Sequence, residues 1–185
     1  MTDADGDTDG VAPLRLALDV AVPAPLRPML AELVATAEVA IELVALADID
    51  PGLVELSDRR LVLALHQEGY DWLVTGNGRM LRNPDVLAAV WKTRMSVFAV
   101  DGVGDDPLRT TGALLLDLPA ALRRATPGRC EIFWSRPRNP RPSGPWDRFM
   151  AAARRRRQEP GDLHEQVKVT DAELTTPWRR HPAPD

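Results

Sequence analysis

The sequence predicts an α/β fold: three layers, with a mostly parallel sheet covered by helices on both faces. Short β-prone apolar runs alternate with stretches of helical periodicity, the pattern of strands joined by helical crossovers. The runs are short and nearly all apolar, as buried strands should be. They also end in polar residues, as at Asp19, Thr75-Gly76-Asn77 and Asp101. Crossovers between such strands are expected to be right-handed.

Taken in order, residues 1–12 are acidic and Gly-rich and read as a disordered tail. Residues 14–19 (LRLALD) form a strand that closes on a carboxylate. A helix follows from about 25 to 37. Residues 39–47 fit a second strand by their β-branched content, or a prolongation of that helix. Residues 48–52 are a turn. Residues 57–81 then read as cap, helix, turn, strand and polar turn. Ser57 or Asp58 suits a helix cap; Leu61, Ala64 and Leu65 share a helical face, and Gly69 suits the position just past a helix end. Residues 70–75 are the strand, running into Gly76-Asn77-Gly78.

Asn83-Pro84 opens another helix, with Leu87, Val90 and Trp91 facing inward. Residues 96–100 are a strand ending at Asp101. Asp106-Pro107 starts a helical region through 125, which Pro119 is expected to interrupt and Asp117 to recap. Residues 130–134 fit a last strand. The domain reading is therefore a core over 13–135, a Pro/Arg-rich linker and basic helix over 136–157, and a flexible tail over 158–185.

With 185 residues and 44% hydrophobic content, the chain supports one domain with a real core. The net charge of −4 is uneven. Asp3, Asp5, Asp7 and Asp9 crowd the start, whereas residues 123–157 hold eleven arginines against Glu131 and Asp147. Such a basic flank fits a polyanionic partner or a solvated tail. Cys130 is the single cysteine and the three histidines are scattered, which excludes an internal disulfide and a cysteine- or histidine-based zinc site. No signal-peptide pattern opens the chain and no apolar run reaches bilayer length, so a cytoplasmic protein without membrane contact is expected. The glycine-rich phosphate loops and the G-x-S-x-G elbow are absent.

In open α/β sheets, ligands bind beyond the carboxyl ends of the strands. Asp19 ends a strand, Asp58 begins a helix, and Asn77 sits in the turn after a strand; these are the candidate catalytic residues. Each has a structural alternative: Asp19 and Asp58 as caps, Asn77 as a turn former. Glu55, Ser57, Thr75 and Asp101 are secondary candidates. Oxygen ligands without cysteine or histidine suit Mg²⁺ or Mn²⁺, with Asp19 and Asp58 as the metal ligands. The chemistry that follows is metal-assisted phosphodiester hydrolysis. Arg79, Arg154, Arg155, Arg156 and Arg157 are candidates for nucleic-acid contact.

These pieces resemble the PIN-domain family, of the PIN-like kind related to toxin ribonucleases. The matching segments are LALDV with Asp19, LSDRRLVLALHQEGYDWLVTGNGRML with Asp58 and Thr75-Gly76-Asn77, and SVFAVD; together they span about residues 14–125. The resemblance implies strand order 3-2-1-4-5, an acidic pocket for Mg²⁺ or Mn²⁺, and endoribonuclease activity, often as the toxin of a toxin–antitoxin pair. It implies RNA and an antitoxin protein as partners; a homodimer is a further expectation. Asn77 stands where the family has Asp or Asn, which leaves one charge fewer than an all-Asp pocket. Glu42 and Glu55 both compete for the place of a further acid. A catalytically weak PIN-like module that binds RNA or protein is the alternative.

Overall fold

The computed structural model describes residues 13–19, 25, 27–35, 40–100, 106–126, 129–135 and 143–178. Five strands form one sheet: β1 (Leu14–Asp19), β2 (Ile41–Ala45), β3 (Trp72–Thr75), β4 (Ser96–Val100) and β5 (Ile132–Ser135). All neighbouring pairs are parallel, in the order β2-β1-β3-β4-β5. The three-layer α/β/α class is as the sequence predicts; within the ambiguous 39–47 stretch, Ile41–Ala45 forms a strand, and Leu46 and Ala47 already belong to the short helix that follows.

The strand order differs from the expected 3-2-1-4-5. Only β2 lies beyond β1. The next segment forms a short helix, α2 (Leu46–Ile49), and a 3-10 turn (Pro51–Glu55) instead of a third strand. Pro51 has no N–H for a ladder, and the Asp50 carboxylate accepts from the Gly52 N–H at 2.8 Å, which favours the turn. The fifth strand is added at the opposite edge, beside β4.

Side chains alternate across the sheet and define its two layers. Ala17, Leu73, Val97, Ala99, Ile132 and Trp134 pack with α2, α3 (Asp58–Gln67) and α4 (Pro84–Thr93). Leu16, Leu18, Trp72, Val74, Phe98 and Phe133 face the other way, onto Leu30 of α1 (Arg27–Ala35) and onto Leu114, Leu118 and Ala121 of α5 (Pro107–Arg124). The first three connections share one winding sense. The β4–α5–β5 connection moves further along the sheet on the α1 face, so it reverses that sense, contrary to the uniform handedness expected. The place it leaves beside α4 is filled by α6 (Pro145–Arg155), through Trp146 against Trp91 and Phe149. Trp91 lies at the rim of that contact and keeps 45% of its surface exposed, so it is less inward than its spacing predicts.

Pro119 lies inside α5, which runs unbroken past it. Asp117 therefore caps nothing, and its carboxylate accepts from the Ser135 hydroxyl at 2.5 Å. Part of the expected flexible tail is also ordered: α7 (Pro160–Val167) and α8 (Asp171–Thr175) pack on the α3–α4 layer, burying Leu163 and Val169. Arg59 of α3 holds them. Its guanidinium donates to both carboxylate oxygens of Glu173 (2.7 and 2.8 Å) and to the backbone carbonyls of Val167 and Asp85 (2.9 Å each). Gln67 adds bonds to the carbonyls of Leu174 and Thr176 at 2.8 Å. Leu163 is an apolar anchor that the polar average of this segment conceals. The expected acidic tail, most of the Pro-rich linker and the last residues of the chain lie outside the described residues.

Gly69 takes φ +77° just past α3, a conformation that disfavours any Cβ. That turn sends the chain into β3 and so aims Thr75 at the carboxyl edge. No helix among the described residues is long and apolar enough to cross a membrane. Leu65, fully buried in α3, is the direct test of this packing: Leu65→Ala should lower unfolding free energy by about 2–5 kcal/mol in urea denaturation.

Candidate active site

The register of β1 against β3 decides the site. Asp19 pairs with Thr75 at the last position of both strands. From β1 the chain moves to one side of the sheet, to β2, and later returns to build β3, β4 and β5 on the other. The carboxyl edge between β1 and β3 is therefore the topological switch point, the position at which open α/β sheets bind ligands.

Thr75 is fully buried. Its hydroxyl donates to Asp19 Oδ2 at 3.0 Å and accepts from the Asn77 backbone N–H at 3.0 Å. The Asn77 side-chain amide then donates to Asp58 Oδ1 at 3.3 Å. One chain of hydrogen bonds thus runs Asp19–Thr75–Asn77–Asp58 across a strand end, a turn and a helix start. Asp58 is the first residue of α3, but the N-cap position belongs to Ser57, and Ser57 makes no side-chain cap bond. Capping therefore does not account for Asp58, whose carboxylate faces the Asn77 turn.

Both acids are held at a cost. Burial raises the Asp19 pKa above the ordinary aspartate range; the Thr75 hydroxyl opposes this and the charge of Asp58 adds to it. Burial likewise raises Asp58, opposed by the Asn77 amide and reinforced by Asp85. Asp85, in the first turn of α4, is a third carboxylate of this neighbourhood. The sequence held one signal for it: Asn83-Pro84-Asp85 opens the helix that follows the Asn77 turn.

The other candidates separate. Glu55 ends the 3-10 turn, is exposed, and has no hydrogen-bond or ion-pair partner among the described residues. Glu42 is on β2 and binds Arg15 at 2.9 Å. Asp101 lies outside the described residues. Arg79 is exposed in the turn after Asn77, whereas Arg154, Arg155, Arg156 and Arg157 are exposed around the end of α6. Cys130 is no nucleophile: burial pushes its thiol up to about 12, and the Sγ donates to the Met95 carbonyl at 2.8 Å.

Two carboxylates with a neighbouring hydroxyl and carboxamide suit a hard divalent cation, since Mg²⁺ commonly takes one or two carboxylates and keeps its waters. No group of three His, Cys, Asp or Glu side chains placed to hold a metal ion occurs among the described residues. The carboxylates that could serve as donors to such an ion are Asp19 and Asp58. Such a switch-point pair on a three-layer α/β sheet defines the class of the fold and its candidate site. Comparisons with protein-family models, curated proteins and solved structures found no match.

The acids give a pH signature. A carboxyl group whose pKa is higher in the folded state binds its proton more tightly there, so it favours folding while protonated. That contribution is lost as pH rises from the unfolded-state value through the folded-state value. Asp19→Asn should raise the melting temperature at neutral pH and flatten its decline above the ordinary aspartate range. Thermal melts of both proteins across mildly acidic to neutral pH check this.

Proposed function

We propose that this chain is a PIN-like, metal-dependent endoribonuclease that hydrolyses phosphodiester bonds in RNA. The observation that carries the reading is the hydrogen-bonded chain from Asp19 through Thr75 and Asn77 to Asp58 at the switch point. It supports a site in which two carboxylates are kept together despite their mutual repulsion, and a divalent cation relieves that repulsion. Bound Mg²⁺ or Mn²⁺ would supply Lewis-acid chemistry, lowering the pKa of a water and stabilising the leaving oxygen. Asp19 and Asp58 would hold the ion. Thr75 fixes the orientation of Asp19 with its hydroxyl. Asn77 fixes Asp58 with its amide and adds no charge, so its neutrality is consistent with a positioning part.

A second reading is a binding module with weak or no catalysis. It is favoured by the donor set of two acids, which leaves more of the cation's coordination to solvent than a three-acid pocket does.

Incubating structured and unstructured RNA with the purified protein separates the two. Wild type should cleave with Mn²⁺ and stop with EDTA, and Asp19→Asn and Asp58→Asn should each lose roughly two orders of magnitude in rate. Equal cleavage by wild type and Asp19→Asn would assign the activity to a contaminant. Mn²⁺ should also raise the melting temperature of wild type, by about 2.7 kcal/mol of stability at a hundredfold excess over its Kd, but not that of an Asp19→Asn/Asp58→Asn double variant. RNA binding with no Mn²⁺ effect favours the binding module.

A further inference from the structure

A cavity of about 420 Å³ opens between α6, β5 and the 3-10 turn Met80–Arg82, lined by Leu81, Arg82, Trp134, Arg148, Ala151 and Arg155. Its polar lining is cationic. Among the described residues three guanidinium groups line it and no carboxylate does. Arg82 and Arg155 are exposed, and among the described residues neither has a carboxylate partner. Arg148 is fixed: its guanidinium lies 4.6 Å over the Trp134 ring and its Nε donates to the Ser143 hydroxyl at 3.0 Å. Trp134 and Leu81 are buried and supply its apolar lining.

The cavity shares the edge that carries the acids. Trp134 is next to the last residue of β5, and α6 starts beside Ile132, where Ser143 pairs with that strand, so its far end reaches the carboxyl edge. The turn that supplies Arg82 begins right after the candidate site, with the Met80 N–H donating to the Asn77 carbonyl at 3.1 Å. Three strand spacings separate β1 from β5, or about 14 Å along the edge. An acidic pair and an arginine cavity thus stand side by side, at a separation that an extended single strand of nucleic acid spans.

We propose that this cavity is a phosphate-binding subsite for the RNA strand, holding a phosphodiester group some nucleotides away from the one presented to Asp19 and Asp58. The proposal rests on the nuclease reading for the identity of the strand. The chemistry is that of guanidinium groups, whose planar N–H forks match phosphate oxygens. Arg148 is preorganised by its stacking. Arg82 and Arg155 approach from the turn and the helix end, and no carboxylate among the described residues pairs with them.

The test uses the full chain in an Asp19→Asn background, so that a labelled single-stranded oligoribonucleotide binds without being cut. Affinity is measured over a KCl series for this protein, for added Arg82→Ala/Arg155→Ala, and for added Arg82→Lys/Arg155→Lys. The alanine pair should reduce the slope of log affinity against log salt by about 0.7 for each arginine that neutralised a phosphate, and weaken low-salt binding about tenfold or more. The lysine pair should keep most of the slope. Both arginines are exposed, so melting temperatures should match and exclude misfolding as the cause. Unchanged slope and affinity in the alanine pair would overturn the subsite. Cleavage by the chain with Asp19 intact separates the two readings. A chain that never cleaves, yet loses slope in the alanine pair, keeps the subsite and drops the nuclease. A chain that cleaves, with slope unaltered in the pair, drops the subsite alone.

Discussion

The parallel pairing of β1 with β3 is the constraint on which the rest of the molecule depends. Ladder hydrogen bonds put Asp19 opposite Thr75 at the point where both strands stop, and the Gly76 N–H still bonds to the Asp19 carbonyl at 3.2 Å. A shift of one residue would turn Thr75 to the other face of the sheet and bury or expose the wrong half of each strand. The alternation of Leu16, Ala17 and Leu18 between the two cores fixes that register. The position of Asp19 is therefore enforced by hydrophobic burial on both faces, although the residue itself is polar.

The same burial explains why the site is electrostatically uncomfortable. A carboxylate placed where apolar layers converge loses hydration, and a second carboxylate at the start of α3 adds repulsion. The neutral hydrogen-bonding groups of Thr75 and Asn77 offset part of this without cancelling the charge. Stability is being spent at one small patch of the surface, a pattern that accompanies functional sites more often than structural ones.

The helices after β5 extend this logic beyond the sheet. α6 occupies the layer beside α4, where Trp146 meets Trp91 in a tilted ring contact, and its arginine-rich end lines the cavity at the edge where the acids are. α7 and α8 are fastened to α3 through Arg59, the residue next to Asp58, so they brace the helix that presents one of the acids. Arg59 is partly shielded and bonded on several sides, which makes its pairing with Glu173 more than an exposed surface ion pair.

Much of this was legible in the chain itself. Apolar runs of strand length, helical spacing of leucines, Gly69 past a helix end and polar residues closing the strands are local features, and they determined the α/β class, the succession of the five strands and the candidates Asp19, Asp58 and Asn77. Local features carry no information about which strand lies beside which, so the order β2-β1-β3-β4-β5, the reversed crossover through α5 and the docking of α7 and α8 were decided only when distant apolar faces met. Asp85, Arg82 and Arg148 belong to the same group. Each is an unremarkable charged residue in sequence, and becomes a neighbour of the candidate site or of the arginine cavity because packing brings α4, the turn after Asn77 and α6 to one edge of the sheet.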